Sequence, residues 1–446
     1  MPKEAIQMIS PEMWGPLNQE EKDAEKISRP SLTYFQDAWR RLRQNHVAMI
    51  SMILIILITL SAIVVPLFWP YSYKQQNLDF ANMPARIPAY KISDQYAIYV
   101  NPQYNAVLLS QKGEILSLLE ASHRDLMAKK NIFKFEDNTI EVDYSFYADA
   151  AKEYKKLEKK AAKTNSDVVN VQKVDYLKKY FAGDAPAEVS LEEAYNILEN
   201  KLKRVQVSLN GTPLDKPQML HNKTYLLGSD GLGRDLFIRI IYGARISLLV
   251  GFFAAFINFV VGVAYGAIAG YKGGRIDNVM MRIVDVIDSV PMTLYVILIM
   301  VIVGPGILSI IIALGLTYWV KMARIVRGQV YTLKNQEFVK AAIVTGADTK
   351  RIIKKHLIPN MMGPIMVNIA MQIPSAIFNE AFLSFVGLGI SAPMASWGTL
   401  CNDALPGIYM YPYQMIYPAF AIALTILTFN LFSDGLRDSL DPKQRN

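Results

Sequence analysis

Five polar residues interrupt one apolar stretch of the sequence at helical spacing: Asn368, Gln372, Ser375, Asn379 and Glu380. The first four are four, three and four residues apart, so a helix places them on one face. Amides, hydroxyls and carboxylates are costly in hydrocarbon and therefore face a cavity or another helix. Two interpretations stay open: a polar lining for a solute path, or hydrogen bonds that only hold helices together. For Glu380, near the predicted outer end of the helix, packing or gating is favoured.

A short basic segment precedes this stretch, and its residues suit the docking of another protein: Lys340, Ala341, Ala342, Gly346, His356 and Pro359. The sequence predicts a helix over Leu333–Thr345, which Gly346 ends in a left-handed conformation. Asp348 or Thr349 caps a second short helix to about Leu357, and a proline stops it. The small residues leave room for a close partner, and the surrounding basic side chains suit acidic groups or lipid headgroups.

The composition is that of a membrane protein. The chain has 446 residues, of which 52% are apolar, and a mean hydropathy of +0.18. Its single cysteine, Cys401, allows no intrachain disulfide and argues against a cysteine-ligated metal, and its four histidines are scattered singly. The formal charge of +8 comes from basic residues that flank apolar stretches. We therefore expect neither a metal site nor nucleic-acid binding.

Six stretches are long and apolar enough to be predicted as transmembrane helices: Val47–Trp69, Ile246–Tyr271, Val286–Gly304, Ile307–Ala323, Met361–Gly387 and Met415–Phe432. Basic residues gather in the connections predicted inside, whereas Pro305-Gly306 and Leu388–Gln414 carry none. This asymmetry predicts that both termini are cytoplasmic. Pro291 predicts a kink in the third span.

The predicted organisation has five parts: a cytoplasmic segment over residues 1–46, a first transmembrane helix over 47–70, an inserted extracellular domain over 71–227, a core with five transmembrane helices over 228–433, and a cytoplasmic tail over 434–446. The fold class is an all-α polytopic membrane protein with six transmembrane helices and an inserted α+β domain. Within the core, the loop 333–359 is expected to be cytoplasmic. Glycines spaced along the second span predict close helix packing: Gly251, Gly262, Gly266 and Gly270.

The insertion alternates apolar and polar residues around turn signals. Residues 131–144 predict a hairpin that turns at 137–138, and residues 105–119 predict another. The Asn-Gly pair at 210–211 predicts a tight turn after a strand. Residues 151–163 predict an exposed helix with closely spaced opposite charges.

Two charged segments have simple interpretations. The stretch GSDGLGRD, residues 228–235, has neither the glycine order of a dinucleotide site nor the acidic spacing of a calcium loop. It predicts a turn before an amphipathic helix, Arg234–Arg245, at the outer interface. Asp285 and Asp288 predict an ion pair with Arg282 at a helix end rather than a proton relay.

The sequence has no G-x-x-x-x-G-K-[ST] motif, so we expect no ATP hydrolysis through a P-loop and no enzymatic activity.

Ala341-Ala342, Gly346 and the HLIPN sequence at 356–360 resemble the cytoplasmic loop of bacterial ABC importer permeases. In that family the loop begins Glu-Ala-Ala and docks in a cleft of the ATPase, whereas this chain has Lys340 at the usual glutamate position. Further blocks resemble the branch for dipeptides, oligopeptides and nickel, of the oligopeptide permease C type: residues 228–251, 273–286, 323–330, 379–393 and 429–443. Most relatives have a short connection in place of residues 71–227.

The resemblance implies a type I importer bundle in a bacterial cell membrane, serving as one permease subunit of an ATP-driven importer for oligopeptides or dipeptides. It implies several partners: a second homologous permease, two ATPase subunits that hold ATP and Mg²⁺, an extracellular binding protein, the peptide and membrane lipid. We expect no cofactor in this chain. The alternatives are an ion- or proton-coupled secondary transporter, which lacks support because no inverted repeat is evident, a permease of the same family for nickel, and a sensor.

Overall fold

The computed structural model describes residues 34–145, 205–214, 217–390 and 393–440. Eleven helices are named here in chain order: α1 Tyr34–Gln44, α2 His46–Phe68, α3 Leu236–Lys272, α4 Gly274–Asp288, α5 Met292–Val303, α6 Ile307–Leu333, α7 Glu337–Val344, α8 Thr349–Asn360, α9 Met362–Phe385, α10 Trp397–Ala404 and α11 Tyr413–Leu440. Single 3-10 turns lie at Leu78–Phe80 and Leu405–Gly407. Two helices contain a π-helical segment, α3 at Asn258–Gly262 and α8 at Ile352–Leu357.

The apolar helices make this a multi-pass membrane protein. In the described part of the chain, α2, α3, α6 and α11 are each long and apolar enough to cross a membrane. The pairs α4–α5 and α8–α9 pass the same test only together, and they are bent by 82° and 68°. The break in the first pair contains Pro291, which has no N–H to donate to a helical hydrogen bond, so the predicted kink is confirmed. A count of six spans stays a prediction.

The second span begins at Leu236, ten residues before the predicted start at Ile246. The Asp235 carboxylate caps the helix by accepting from the amides of Phe237 and Ile238, at 2.8 and 3.4 Å. The prediction of a separate amphipathic helix over Arg234–Arg245 is therefore wrong. Ion pairs bury Arg234 and Arg239 within the protein, whereas the half-buried Arg245 donates to the Ala62 carbonyl of α2.

The glycines of α3 allow it to pack closely against α6, as predicted. A Cβ atom on Gly262 would lie within 3 Å of Met322, and one on Gly270 would meet the backbone of Arg327 at 2.9 Å. Gly251 instead faces α9, where Ile373 and Ile377 fill the space. Small residues at these positions give the helices the close approach on which association in a membrane depends.

The described part of the insertion forms two five-stranded antiparallel sheets, ordered β10-β1-β2-β3-β4 and β5-β6-β7-β8-β9. Their strands are β1 Arg86–Lys91, β2 Tyr96–Val100, β3 Ala106–Ser110, β4 Ile115–Leu118, β5 Ala121–Asp125, β6 Lys130–Phe135, β7 Asn138–Asp143, β8 Gln206–Leu209, β9 Thr212–Pro213 and β10 Gln218–His221. A shared core joins the sheets, with Ile98 and Leu108 from one and Phe133 and Val142 from the other.

The two hairpins and the Asn-Gly turn predicted in the insertion are confirmed, except that the turn between β6 and β7 lies at residues 136–137, one residue before the predicted position. β3 pairs with β4, β6 pairs with β7, and β8 pairs with β9. Asn210 and Gly211 form the last turn with φ of +50° and +78°, a conformation that Asn and Gly adopt most readily. The helix predicted over residues 151–163 lies outside the described residues.

The sheet domain is attached firmly to one end of the helix bundle. The Tyr413 hydroxyl at the start of α11 donates to the carbonyls of Met83 and Ser229, at 3.1 and 3.2 Å. At the same end of the bundle, Trp69 Nε1 after α2 donates to the Asp235 carboxylate before α3 at 2.7 Å, which joins those two helices. At the opposite end of the bundle, α6 leads into the two short helices α7 and α8.

Candidate functional site

Residues Glu337–Asn360, called the elbow below, comprise α7, α8 and the turn between them. Gly346 ends α7 with φ of +82°, the left-handed conformation predicted from the sequence. Its amide donates to the Ile343 carbonyl at 3.0 Å, and the amide of Ala347 donates to the Ala342 carbonyl at 2.9 Å. These two bonds are the Schellman motif, which satisfies the last carbonyls of the helix.

The second helix of the elbow begins as predicted but ends differently. The Asp348 carboxylate accepts from the Arg351 amide at 3.2 Å and caps α8. Pro359 does not stop this helix, because it occupies the first turn of the final segment, Ile358–Asn360, where proline is tolerated. The break before α9 comes at Met361. The first helix also differs: it begins at Glu337 and is separate from α6, which ends at Leu333.

One face of the elbow is buried against the bundle. Its inward residues share a core with residues of α3 and α6: Val339, Ala342, Ile352 and Leu357 with Val263, Met322, Val326 and Val330. Burial of several aliphatic side chains stabilises such a contact by roughly 1.5–3 kcal/mol for each one fully removed from water. The elbow is therefore packed on α3 and α6 through a shared apolar core.

The opposite face of the elbow exposes apolar side chains. Val344 is 87% exposed and Ile343 is 52% exposed, and both lie about one turn from the exposed Lys340; Phe338, which is 38% exposed, lies at the other edge of the buried stripe. Contiguous apolar residues at the tip of a polar loop indicate a surface that another protein covers. The sequence interpretation missed these three residues, although their apolar character next to Lys340 was a usable signal.

The residues singled out for docking do not all face outward. Lys340, Ala341, Gly346 and Pro359 are exposed, and His356 is half-buried. Ala342 is 7% exposed and faces the bundle, so its small side chain serves internal packing and leaves no room for a partner. The sequence could not reveal this, because neighbouring alanines look alike until the helix orientation is known.

The polar face of α9 contacts neighbouring helices at two of its four positions. Gln372 Nε2 donates to the Tyr318 carbonyl of α6 at 3.2 Å, and the Asn258 amide of α3 donates to Gln372. Asn379 Nδ2 donates to the Tyr318 hydroxyl at 2.6 Å. Tyr318 and Asn258 are partners that the sequence did not identify.

The other two positions on this face have no partner on another described helix. The Ser375 hydroxyl is exposed and donates to the Met371 carbonyl of its own helix at 3.2 Å. The Asn368 carbonyl oxygen is buried and has no hydrogen-bond partner within the described chain. Glu380 lies on a different face, fully buried, and accepts from the hydroxyls of Ser247 and Ser384 at 2.7 and 2.8 Å.

Ion pairs connect α4 and α6 near the elbow. Arg327 donates to both oxygens of Asp277, at 2.5 and 2.6 Å, and the Tyr331 hydroxyl adds a third bond at 2.7 Å. Asp285 and Asp288 form the expected ion pair, but with Arg324 of α6, at 3.0 and 2.6 Å. The expected partner Arg282 is therefore replaced by a residue from a neighbouring helix, which only the fold brings close.

A second buried charge cluster lies at the sheet end. Arg234 Nε donates to Asp230 at 2.7 Å, and Arg239, which is 2% exposed, donates to Asp230 and to Asp403, the latter at 3.2 Å. The cluster joins the turn before α3 to α10. Within the described ranges, no group of three or more histidine, cysteine, aspartate or glutamate residues could hold a metal ion.

Comparison with known proteins fits this architecture. Residues 262–446 match the family described as "Binding-protein-dependent transport system inner membrane component", and residues 33–85 match "N-terminal TM domain of oligopeptide transport permease C". The dipeptide transport system permease protein DppC of Bacillus subtilis is 36% identical over 437 residues, which are 98% of this chain and 94% of that protein. The chain belongs to this family of binding-protein-dependent permeases.

Two further relatives differ in whether their match to this chain includes the insertion. The DppC protein of Lactococcus lactis is 33% identical over 94% of this chain and 93% of its own length. The oligopeptide permease OppC of Bacillus subtilis is 51% identical, but over 52% of this chain and 75% of its own length. The permease is thus similar to both DppC proteins across the insertion. The resemblance to oligopeptide permeases of the C type is confirmed, and the relatives are transport subunits rather than enzymes.

Proposed function

We propose that this permease is one transmembrane subunit of an ATP-driven importer for dipeptides or oligopeptides. The relatives that match nearly the whole chain are named as dipeptide permeases, and the relative with the higher identity is an oligopeptide permease. This similarity favours peptide import over an ion- or proton-coupled transporter, a nickel permease or a sensor. A second homologous permease completes the pore, and a binding protein delivers the peptide.

The elbow carries this proposal. Its inner face is packed on α3 and α6, and its outer face exposes Ile343 and Val344 beside Lys340. Two ATPase subunits, one for each permease, bind these outer faces and hold the ATP and Mg²⁺, so this chain needs no cofactor of its own. Closure of the ATPases pushes the elbow, and the packed helices transmit the movement as a rigid body.

The face of α9 with Asn368 and Ser375 lines the solute path in this proposal. The exposed Ser375 hydroxyl is accessible to a polar solute or to water, and the buried Asn368 carbonyl on the same face has no partner among the described residues. Gln372 and Asn379 fit both the solute-path and the helix-packing interpretation, because they donate hydrogen bonds to Tyr318 of α6 and also lie on that face. Glu380 is assigned to packing, since its carboxylate is fully buried and accepts from the hydroxyls of Ser247 and Ser384.

The orientation follows from the basic residues of the elbow. Lys350, Arg351, Lys354 and Lys355 of α8 favour the cytoplasmic side, which also contains both termini. The sheet domain then lies outside the cell, where it provides a docking or capping surface for the binding protein. A cavity of about 440 Å³ supports this role, because it lies between the sheets and the segment before α11 and is lined by Arg86, Tyr99, Tyr411 and Tyr413.

Reconstitution tests the proposed function. The purified permease pair, the ATPase subunits and the binding protein are placed in vesicles, and uptake of a labelled dipeptide or oligopeptide is measured. We expect uptake only with ATP and all components present. Uptake by this chain alone, driven by an ion gradient, would favour the secondary transporter instead.

The role of the sheet domain has its own test. Residues 91–216 are replaced by Asn-Gly, which joins β1 to β10 because Ala89 already pairs with Gln218. This keeps Met83 and Ser229 as partners of Tyr413. We expect the binding protein to associate more weakly with the shortened permease; unchanged association and uptake would remove the docking role.

A further inference from the structure

The crevice between α2 and α3 has the features of a lipid site at the sheet end of the bundle. It encloses about 300 Å³ and is lined almost entirely by apolar side chains and one cation: Thr59, Ala62, Ile63, Leu248, Leu249, Phe252, Ile373, Phe429 and Arg245. Ile63, Leu249 and Phe252 are 55%, 40% and 59% exposed, so the crevice opens sideways from the bundle. In a multi-pass membrane protein, that side faces lipid.

Arg245 lies at the polar end of this crevice without a carboxylate partner. Its Nε and Nη2 atoms donate to the Ala62 carbonyl, and Nη2 also reaches the Ile63 carbonyl at 3.4 Å. In the described ranges it forms no ion pair. Ala62 precedes the end of α2 at Phe68 by six residues, or about 9 Å. A cation at this depth requires a counter-ion or contact with the headgroup region.

A second cation and two aromatic rings lie between Arg245 and the membrane surface. The rings of Tyr73 and Tyr242 stack with centroids 3.6 Å apart. Lys74 Nζ is 5.4 Å from the Tyr73 ring, and the Arg245 guanidinium carbon is 5.6 Å from the Tyr242 ring. Lys74 is exposed and, like Arg245, has no acidic partner among the residues described. Tyrosines with cations are typical of the headgroup level of a membrane.

We propose that this crevice binds one anionic phospholipid. One acyl chain lies along Leu248, Leu249 and Phe252, and the phosphate lies between Lys74 and Arg245. This arrangement accounts for both the apolar crevice and the two cations. An acyl chain without a phosphate would fill the crevice but would leave Lys74 and Arg245 without a counter-ion. The lipid then fills the gap between the N-terminal span and the rest of the bundle, where Ala62 and Phe429 would otherwise border an empty crevice.

Native mass spectrometry of the full-length chain in detergent tests this site. The probes are phosphatidylglycerol, the matching diacylglycerol without phosphate, and glycerophosphoglycerol without acyl chains. We expect one phosphatidylglycerol to bind at least tenfold more tightly than diacylglycerol, because only its phosphate forms charge-assisted hydrogen bonds with the two cations. Glycerophosphoglycerol should not displace it. Equal affinity for diacylglycerol, or displacement by glycerophosphoglycerol, would contradict the proposed site.

Two variants keep the test independent of folding. Lys74→Gln removes an exposed cation, and Thr59→Trp fills the crevice from an exposed position. Lys223→Gln is the matched control, an exposed cation on the same side of the protein but outside the crevice. Both test variants should bind phosphatidylglycerol at least fivefold more weakly, and the control should match the unaltered chain. Unchanged affinity in both test variants would overturn the proposal.

Discussion

The guanidinium of Arg245 in α3 donates two hydrogen bonds to the Ala62 carbonyl of α2, at 3.2 and 3.0 Å. In a regular helix this carbonyl would accept from the residue four positions later, but that residue is Pro66, which has no N–H. An unsatisfied carbonyl in hydrocarbon is costly, and a neighbouring helix here supplies the missing donor. This contact fixes the N-terminal span to the permease core.

A double-mutant cycle follows from this contact. Arg245→Gln should lower the free energy of unfolding by about 1–2 kcal/mol, since it removes the donors to Ala62. Pro66→Ala restores an N–H within α2 that can donate to the Ala62 carbonyl. Arg245→Gln should therefore lower the free energy of unfolding by less when Pro66 is already replaced by alanine. The measurement is resistance of the purified chain to denaturing detergent. Equal losses in both backgrounds would show that Arg245 does not substitute for the missing donor.

Gly346 should tolerate asparagine but not valine. Its φ of +82° is left-handed, where a side chain costs about 1–2 kcal/mol and a β-branched one more. Gly346→Val should therefore unfold the turn between α7 and α8 and reduce ATP-dependent uptake, whereas Gly346→Asn should retain most of it. Hydrogen exchange at the Ala347 amide, which bonds to Ala342, reports the turn directly. Equal protection in both variants would argue against a structural need for glycine.

The two ion-pair networks of α6 should differ in their contribution to stability. Asp277 is 2% exposed and accepts three hydrogen bonds, so Asp277→Asn should lower the free energy of unfolding by roughly 2–3 kcal/mol. Asp288 is half-exposed, so Asp288→Asn should cost less than about 1 kcal/mol. Thermal unfolding in detergent compares them. Equal losses in the free energy of unfolding for the two substitutions would contradict this prediction.

Local signals explain what could be predicted from the sequence. The hairpins of the insertion and the end of α7 depend on residues such as Asn210, Gly211 and Gly346, whose backbone preferences act over a few positions. The four long apolar helices α2, α3, α6 and α11 could be predicted for a similar reason, because about 20 consecutive residues decide each one.

Long-range contacts explain what could not be predicted. Arg239 pairs with Asp403, which is 164 residues away, and Arg324 replaces Arg282 as the partner of Asp288. The inward orientation of Ala342 depends on how α7 packs against α6, which no local pattern records. For the same reason, Tyr318 emerged as a partner of the polar face of α9 only from the fold.

The central claim, that the outer face of the elbow receives an ATPase subunit, is tested most directly by Val344→Glu. Val344 is 87% exposed and touches no core of the permease, so the substitution should not unfold the chain. Leu126→Glu is the matched control, an equally exposed apolar residue in the sheet domain, at 80%. The measurement is co-purification of the ATPase subunits with the permease, together with ATP-dependent peptide uptake. We expect Val344→Glu to reduce both at least tenfold and Leu126→Glu to leave ATPase binding unchanged; full ATPase binding and uptake with Val344→Glu would contradict the account.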